Sequence, residues 1–221
     1  MIKALVFDLD DTLFPEHQFV LSGFSAVSAW VEKRYDSKGF LGLTWQLFVE
    51  GCRGRLFDVS LERMGIVPDA TLIQTLLRIY REHVPIISLY EDAKWALDYL
   101  RGSRQLGIIT DGYLATQKNK VASLQIGEMF DAIIYSDEFG RDNWKPSRVP
   151  YIKAMEQLGC NGAECAYIGD NLTKDFIAAK QLGWQAIHII RPDGEYPAVR
   201  GHTPSPVDYQ ITSLYELKQL L

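Results

Sequence analysis

Short apolar runs that are continuous rather than alternating, each closing on a small, polar or charged residue, constrain this chain most. Ala4–Phe7 leads into Asp8, and Leu106–Ile109 into Thr110-Asp111-Gly112. Ala132–Tyr135 leads into Ser136-Asp137, Ala166–Ile168 into Gly169-Asp170, and Gln185–Ile190 into Arg191-Pro192. A strand apolar at successive positions has apolar neighbours on both faces, the condition of a parallel sheet covered by helices. The segments between the runs have helical spacing. Glu91–Leu100 places Ala93, Ala96, Leu97 and Leu100 on one stripe, and Leu114–Leu124, Ser147–Leu158 and Thr173–Leu182 follow. Gly127, Gly159 and Gly183 stand where a helix end favours a left-handed residue. A last strand near Tyr209–Ile211 and a short terminal helix close the pattern, after a Pro- and Gly-rich surface loop from Arg191 to Asp208. Strand and helix in alternation predict an α/β fold, a doubly wound, Rossmann-like, mostly parallel sheet.

The rhythm breaks once. From Pro15 to Ile87 no strand pattern occurs, while Phe19–Tyr35, Leu41–Val49, Leu56–Met64 and Ala70–His83 carry apolar residues at three- and four-residue spacing. The expected organisation is therefore an α/β core formed by residues 1–14 and 88–221, with a helical domain, 15–87, inserted after the first strand.

Composition removes several classes of function. With 23 Lys and Arg against 28 Asp and Glu, the net charge of −5 argues against a nucleic-acid backbone binder. The apolar start Ala4–Phe7 is too short for a secretion signal, and no stretch has the length of a membrane span, so a cytoplasmic protein with no membrane partner is expected. Three cysteines without metal-ligand spacing read as reduced thiols, and four scattered histidines form no ligand pair. Oligomeric state is left open.

The strand ends carry the chemistry. In Asp8-Leu9-Asp10-Asp11-Thr12, the carboxylates of Asp8 and Asp10 point to the same side of an extended backbone. Two such groups repel unless a cation lies between them or one is protonated, and a hard divalent ion such as Mg²⁺ with oxygen ligands relieves this. Asp170 follows another strand and could add a ligand, with Asp175 five residues on; Thr110 offers a hydroxyl, Asp111-Gly112 backbone N–H groups, and Lys145 a positive charge. Ligands of doubly wound sheets bind beyond the carboxyl ends of the strands, where all these residues fall.

In this order and spacing the four segments resemble the haloacid-dehalogenase-like superfamily, its phosphatases in particular. The resemblance spans nearly the whole chain, the helical insertion being similar to the family's α-helical cap. It implies Asp8 as nucleophile, Asp10 as general acid/base, Thr110 on the transferring phosphoryl group, and Lys145 as the motif lysine. It also implies Asp170 on Mg²⁺ beside Asp8 and Asp10, with Asp175 in support. The expected activity is Mg²⁺-dependent hydrolysis of a small phosphorylated metabolite, sugar phosphates among them, through an aspartyl-phosphate. Dehalogenases of the family generally lack an acid at the second position, so Asp10 favours phosphate chemistry. A phosphomutase similar to β-phosphoglucomutase and a non-catalytic phosphate-sensing module are the alternatives. In the cap, Arg53 and Arg55 between glycines are candidates for clamping an anionic group or for a solvated turn; Phe14, His17 and Trp144, from core and cap, are candidates for shaping the pocket.

Overall fold

The computed structural model describes residues 1–194 and 207–220. The chain divides into two compact units, Met1–Glu16 with Ile87–Leu221, and His17–Ile86. Among the described residues, no helix is long and apolar enough to cross a membrane.

The first unit is built on six parallel strands: β1 (Ala4–Phe7), β2 (Gln105–Thr110), β3 (Ala132–Tyr135), β4 (Cys165–Gly169), β5 (Gln185–Ile189) and β6 (Tyr209–Ile211), in the order β3-β2-β1-β4-β5-β6. Central β1 is buried along its length, Ala4 lying in register with Gln105 on one side and Cys165 on the other. The continuous apolar runs thus correspond to strands covered on both faces. Going outward from β1, the chain proceeds through β2 and β3 on one side and β4, β5 and β6 on the other. The crevice beyond the carboxyl ends of β1 and β4 is the switch point of this winding.

The second unit is helical over its described length. The helices are α1 (Glu16–Tyr35), α2 (Phe40–Val49), α3 (Leu56–Arg63) and α4 (Ala70–Glu82). Their apolar faces meet around Phe24, whose ring lies 5.7 Å from that of Phe48, 5.9 Å from Phe57 and 5.7 Å from Tyr80. The Asp69 carboxylate caps α4 by accepting the Leu72 N–H at 2.8 Å.

Four longer helices flank the sheet: α5 (Glu91–Leu100), α6 (Leu114–Leu124), α7 (Val149–Leu158) and α8 (Asp175–Gln181); a final turn, α9, spans Leu217–Leu220. The apolar side of α7 joins Tyr151, Ala154 and Leu158 to Tyr167, Phe176 and Trp184 in a buried cluster. Gly159 and Gly183 do adopt positive φ, 61° and 79°. At the end of α6 the left-handed residue is instead Gln125, with φ 56°, and Gly127 opens a 3-10 turn. The Gln125 and Ile126 N–H groups bond back to Ala122 and Val121, and Ile126 is buried. The helix ends at Leu124 as its spacing predicts, with the turn closed by this apolar anchor rather than by the glycine.

Residues 195–206 of the Pro- and Gly-rich stretch lie outside the described residues, but its first residue is not on the surface. Arg191 is buried and donates to both oxygens of Asp92, at 2.7 and 3.0 Å, and to the Thr12 carbonyl at 2.7 Å. Its guanidinium lies 4.0 Å from the centre of the Tyr90 ring. Asp92 also accepts from the Ser213 hydroxyl and the Leu214 N–H, each at 2.8 Å. Burial alone would push the Asp92 carboxyl up, but the hydrogen bonds from Arg191, Leu214 and Ser213, with the Arg191 charge, leave it below its ordinary value. Asp92→Ala would strand the Arg191 charge, at a cost of about 3–5 kcal/mol. Urea unfolding should show that loss, and a variant as stable as the parent would remove the pair from the account of the fold.

Candidate active site

Asp8, Asp10, Asp111, Gly112, Trp144, Lys145, Asp170 and Lys174 surround a cavity of about 310 Å³ at the carboxyl ends of β1, β2 and β4. A larger cavity, about 710 Å³, lies at the opposite end of the strands beside Lys3, Arg101 and Arg104 and contains none of these residues. The Asp8 N–H donates to the Ile168 carbonyl at 2.8 Å, which fixes the end of β1 against β4. Asp8 and Asp10, two residues apart across a bend at Leu9, both line the cavity.

Lys145 is the electrostatic centre. Its side chain is fully buried, and Nζ lies 2.5 Å from Asp8 Oδ1, 2.9 Å from Asp175 Oδ1 and 3.0 Å from the Tyr167 hydroxyl. Burial works against its charge, yet Asp175 and Asp8 together hold it well above the ordinary lysine value. Asp175, at the first position of α8, accepts the Asn171 N–H at 2.9 Å through its other oxygen. Gly169 makes room for this: a Cβ there would come 2.5 Å from Asp175 Oδ2. Asp111 holds the neighbouring turn, its carboxylate accepting the Lys145 N–H at 3.1 Å and meeting Lys174 Nζ at 3.3 Å.

One ammonium does not balance these acids. Burial pushes Asp8 up to about 7, against the pull of Lys145. Burial, then the charges of Asp8 and Asp175, push Asp170 up to about 9. One oxygen from each of Asp8, Asp170 and Asp175 lies within 4.8 Å of the others. Hard oxygen donors in a cluster short of positive charge fit a hard divalent cation.

The Asp10 carboxylate stands apart from that trio. Lys120 Nζ donates to its Oδ1 at 2.5 Å and the Gln117 amide to its Oδ2 at 3.0 Å. The same Gln117 nitrogen lies 2.5 Å from Thr110 Oγ1 at the end of β2. Gln117, Lys120, Tyr167 and Lys174 were not singled out by sequence reasoning. For the first two the available signal was polar side chains on the same stripe of α6 as apolar Val121, and both are buried.

Other candidates have local roles. Arg53 donates to the Phe48 and Cys52 carbonyls at 2.7 and 3.0 Å and stacks on the Phe48 ring. Arg55 pairs with Glu62 at 3.1 Å, and His17 is exposed. Phe14 is buried, and the Trp144 indole N–H donates to Asp137 at 3.2 Å beside the cavity.

Residues 5–189 match the haloacid dehalogenase-like hydrolase family, and the chain belongs to that family. It is 29% identical over 228 residues to a glyceraldehyde 3-phosphate phosphatase of Methanocaldococcus jannaschii, covering 100% of this chain and 97% of the relative. The corresponding phosphatase of Methanopyrus kandleri is 30% identical, covering 98% of this chain and 96% of the relative. Among solved structures, the putative hydrolase YfnB of Bacillus subtilis, bound to magnesium, superposes with a TM-score of 0.69 at 21% identity over 100% of this chain and 98% of that one, a likeness of fold.

Raised carboxyl values have a consequence for stability. Asp8 and Asp170, at about 7 and about 9 in the folded protein, start from 3.8 in the unfolded chain, so the folded state holds more protons between about pH 4 and about pH 9. Stability of the metal-free protein therefore falls as pH rises through that window. Calorimetry in EDTA should show Tm declining from about pH 5 to pH 8, with the gain on adding Mg²⁺ growing over the same range. A Tm independent of pH and Mg²⁺ would contradict the charge deficit.

Proposed function

We propose that this protein is a Mg²⁺-dependent phosphatase that hydrolyses small phosphomonoesters, sugar phosphates among them, through an aspartyl-phosphate on Asp8. The observation that carries the reading is the pairing at the end of β1. Asp8 is held by buried Lys145 at 2.5 Å, and a second carboxylate, Asp10, faces the same cavity. In this reading one is the nucleophile and the other, outside the acid cluster, the proton carrier. Two relatives of about the same length, 29% and 30% identical, are glyceraldehyde 3-phosphate phosphatases, which supports a short phosphorylated substrate. A cavity of about 310 Å³ agrees with that size.

The chain's own residues divide the work. Asp8 attacks phosphorus, forming the Asp8–phosphorus bond as the bond to the leaving oxygen breaks. Asp10 gives its proton to that oxygen, then takes one from the water that attacks the phosphorylated Asp8. Lys145 orients Asp8 and supplies positive charge beside the phosphoryl oxygens, with the Thr110 hydroxyl and the backbone N–H groups of Asp111 and Gly112 as further donors. Asp8, Asp10 and Asp170 would hold Mg²⁺, which would supply positive charge against the acids and the phosphoryl oxygens. Asp175 keeps Lys145 in place.

With Mg²⁺, the protein should release phosphate from a panel of triose, pentose and hexose phosphates, and EDTA should abolish the release. Asp8→Asn should fold and lower kcat by roughly 10⁴-fold or more. Near-parental turnover by Asp8→Asn would sink the nucleophile assignment, and no phosphate release by the parent protein would sink the activity.

A further inference from the structure

Lysine is almost never fully buried without a partner, yet Lys120 is 3% exposed and Gln117, one turn earlier on α6, is 1% exposed. Both reach the same carboxylate, one per oxygen: Lys120 at Asp10 Oδ1 and Gln117 at Asp10 Oδ2. An aspartate's terminal torsion is soft, so a carboxylate held at one oxygen still turns about its axis. Held at both, its plane is set. Gln117 is set in turn, because its amide nitrogen also meets Thr110 Oγ1 at 2.5 Å. Gly112 leaves the space for it, since a Cβ there would approach the Gln117 side chain to 3.1 Å. The start of α6 thus forms a bracket that ties the end of β2 to the second carboxylate of the β1 loop.

We infer that Lys120 and Gln117 are positioning residues for proton transfer, holding Asp10 in the plane from which it reaches the leaving oxygen. The inference rests on the reading of Asp10 as the acid/base of a phosphatase. In the first step the Asp8 carboxylate forms its bond to phosphorus, the ester phosphorus–oxygen bond breaks, and the Asp10 proton passes to the departing oxygen. In the second, water attacks phosphorus, its proton passes to Asp10, and the Asp8–phosphorus bond breaks. Each step needs the Asp10 oxygen aligned with a different oxygen atom. A bracket built from one rigid helix supplies that alignment, and Lys120 and Gln117 act through Asp10, which alone of the three exchanges the proton.

The test is the dependence of kcat/KM on the leaving group, because kcat/KM reports the step in which that group departs. A poor leaving group, such as the alkoxide of glycerol phosphate, needs the proton, and p-nitrophenolate does not. Lys120→Met should lower kcat/KM about 10- to 100-fold for glycerol phosphate and about 3-fold or less for p-nitrophenyl phosphate. Gln117→Met should tilt the series in the same direction by a smaller factor. In an Asp10→Asn background, Lys120→Met should add no further tilt, since the group it positions is gone. An equal loss across the series would overturn the inference, because it indicates general damage to the site. So would a series unchanged from the parent, or failure of both single variants to fold, which would make the bracket structural. If the parent protein turned over no phosphomonoester, the phosphatase reading would fail and take this inference with it, an outcome distinct from any behaviour of the variants.

Discussion

The architecture of the site depends on one buried charge. Lys145 is withdrawn from water, and a buried ammonium persists only where carboxylates and hydrogen-bond acceptors replace its hydration. Asp8, Asp175 and Tyr167 meet that requirement from three directions, arriving from the end of β1, the start of α8 and the body of β4. The dependence is mutual. Without Lys145, three clustered carboxylates would lose their main counter-charge, leaving the more distant Lys174 to offset their burial. Even with it, Asp8 and Asp170 remain high, so the folded protein has a standing demand for more positive charge where a phosphoryl group would have to sit. Under the proposed function, an acidic site on an acidic protein would suit an anionic substrate, with a metal and the lysine as intermediaries.

Much of the fold could be read from the chain because its strands are buried on both faces. Continuous apolar runs such as Ala4–Phe7 and Ala132–Tyr135 correspond residue for residue to strands, and Glu91–Leu100 and Leu114–Leu124 to helices, since period and length are local properties. The carboxylates at the strand ends could be read for the same reason: a parallel sheet brings consecutive strand ends to one edge, so Asp8, Thr110 and Asp170 had to converge.

What could not be read is pairing at a distance. Arg191 meets Asp92 and Thr12, and Lys120 meets Asp10, through contacts that span about a hundred residues or more. A helical stripe tells which side chains are buried, but not what a buried lysine or glutamine finds there. Thus Lys120 and Gln117, though on a face that periodicity marks as internal, passed for ordinary members of α6. Tyr167 was hidden differently: inside an apolar strand its ring reads as core, and only the fold shows its hydroxyl beside Lys145. The left-handed residue after α6 was misplaced at Gly127, because the turn closes at Gln125 against a buried Ile126.

The place of β1 also bears on how the chain reaches this state. It is the first strand in sequence and the middle strand in space, its Ala4 waiting for Gln105 on one side and Cys165 on the other. Its two edges can be satisfied only after closures of roughly a hundred residues or more, which carry an entropic cost and slow folding. During synthesis the segment that will hold Asp8 emerges as an unpaired apolar strand, competent to pair with the wrong edge. Its acidic end, set immediately after the last apolar residue, places like charges where another copy of the same strand would align. The carboxylates to which the proposed function assigns the chemistry thus also discourage β1 from pairing in parallel with itself before its partners exist.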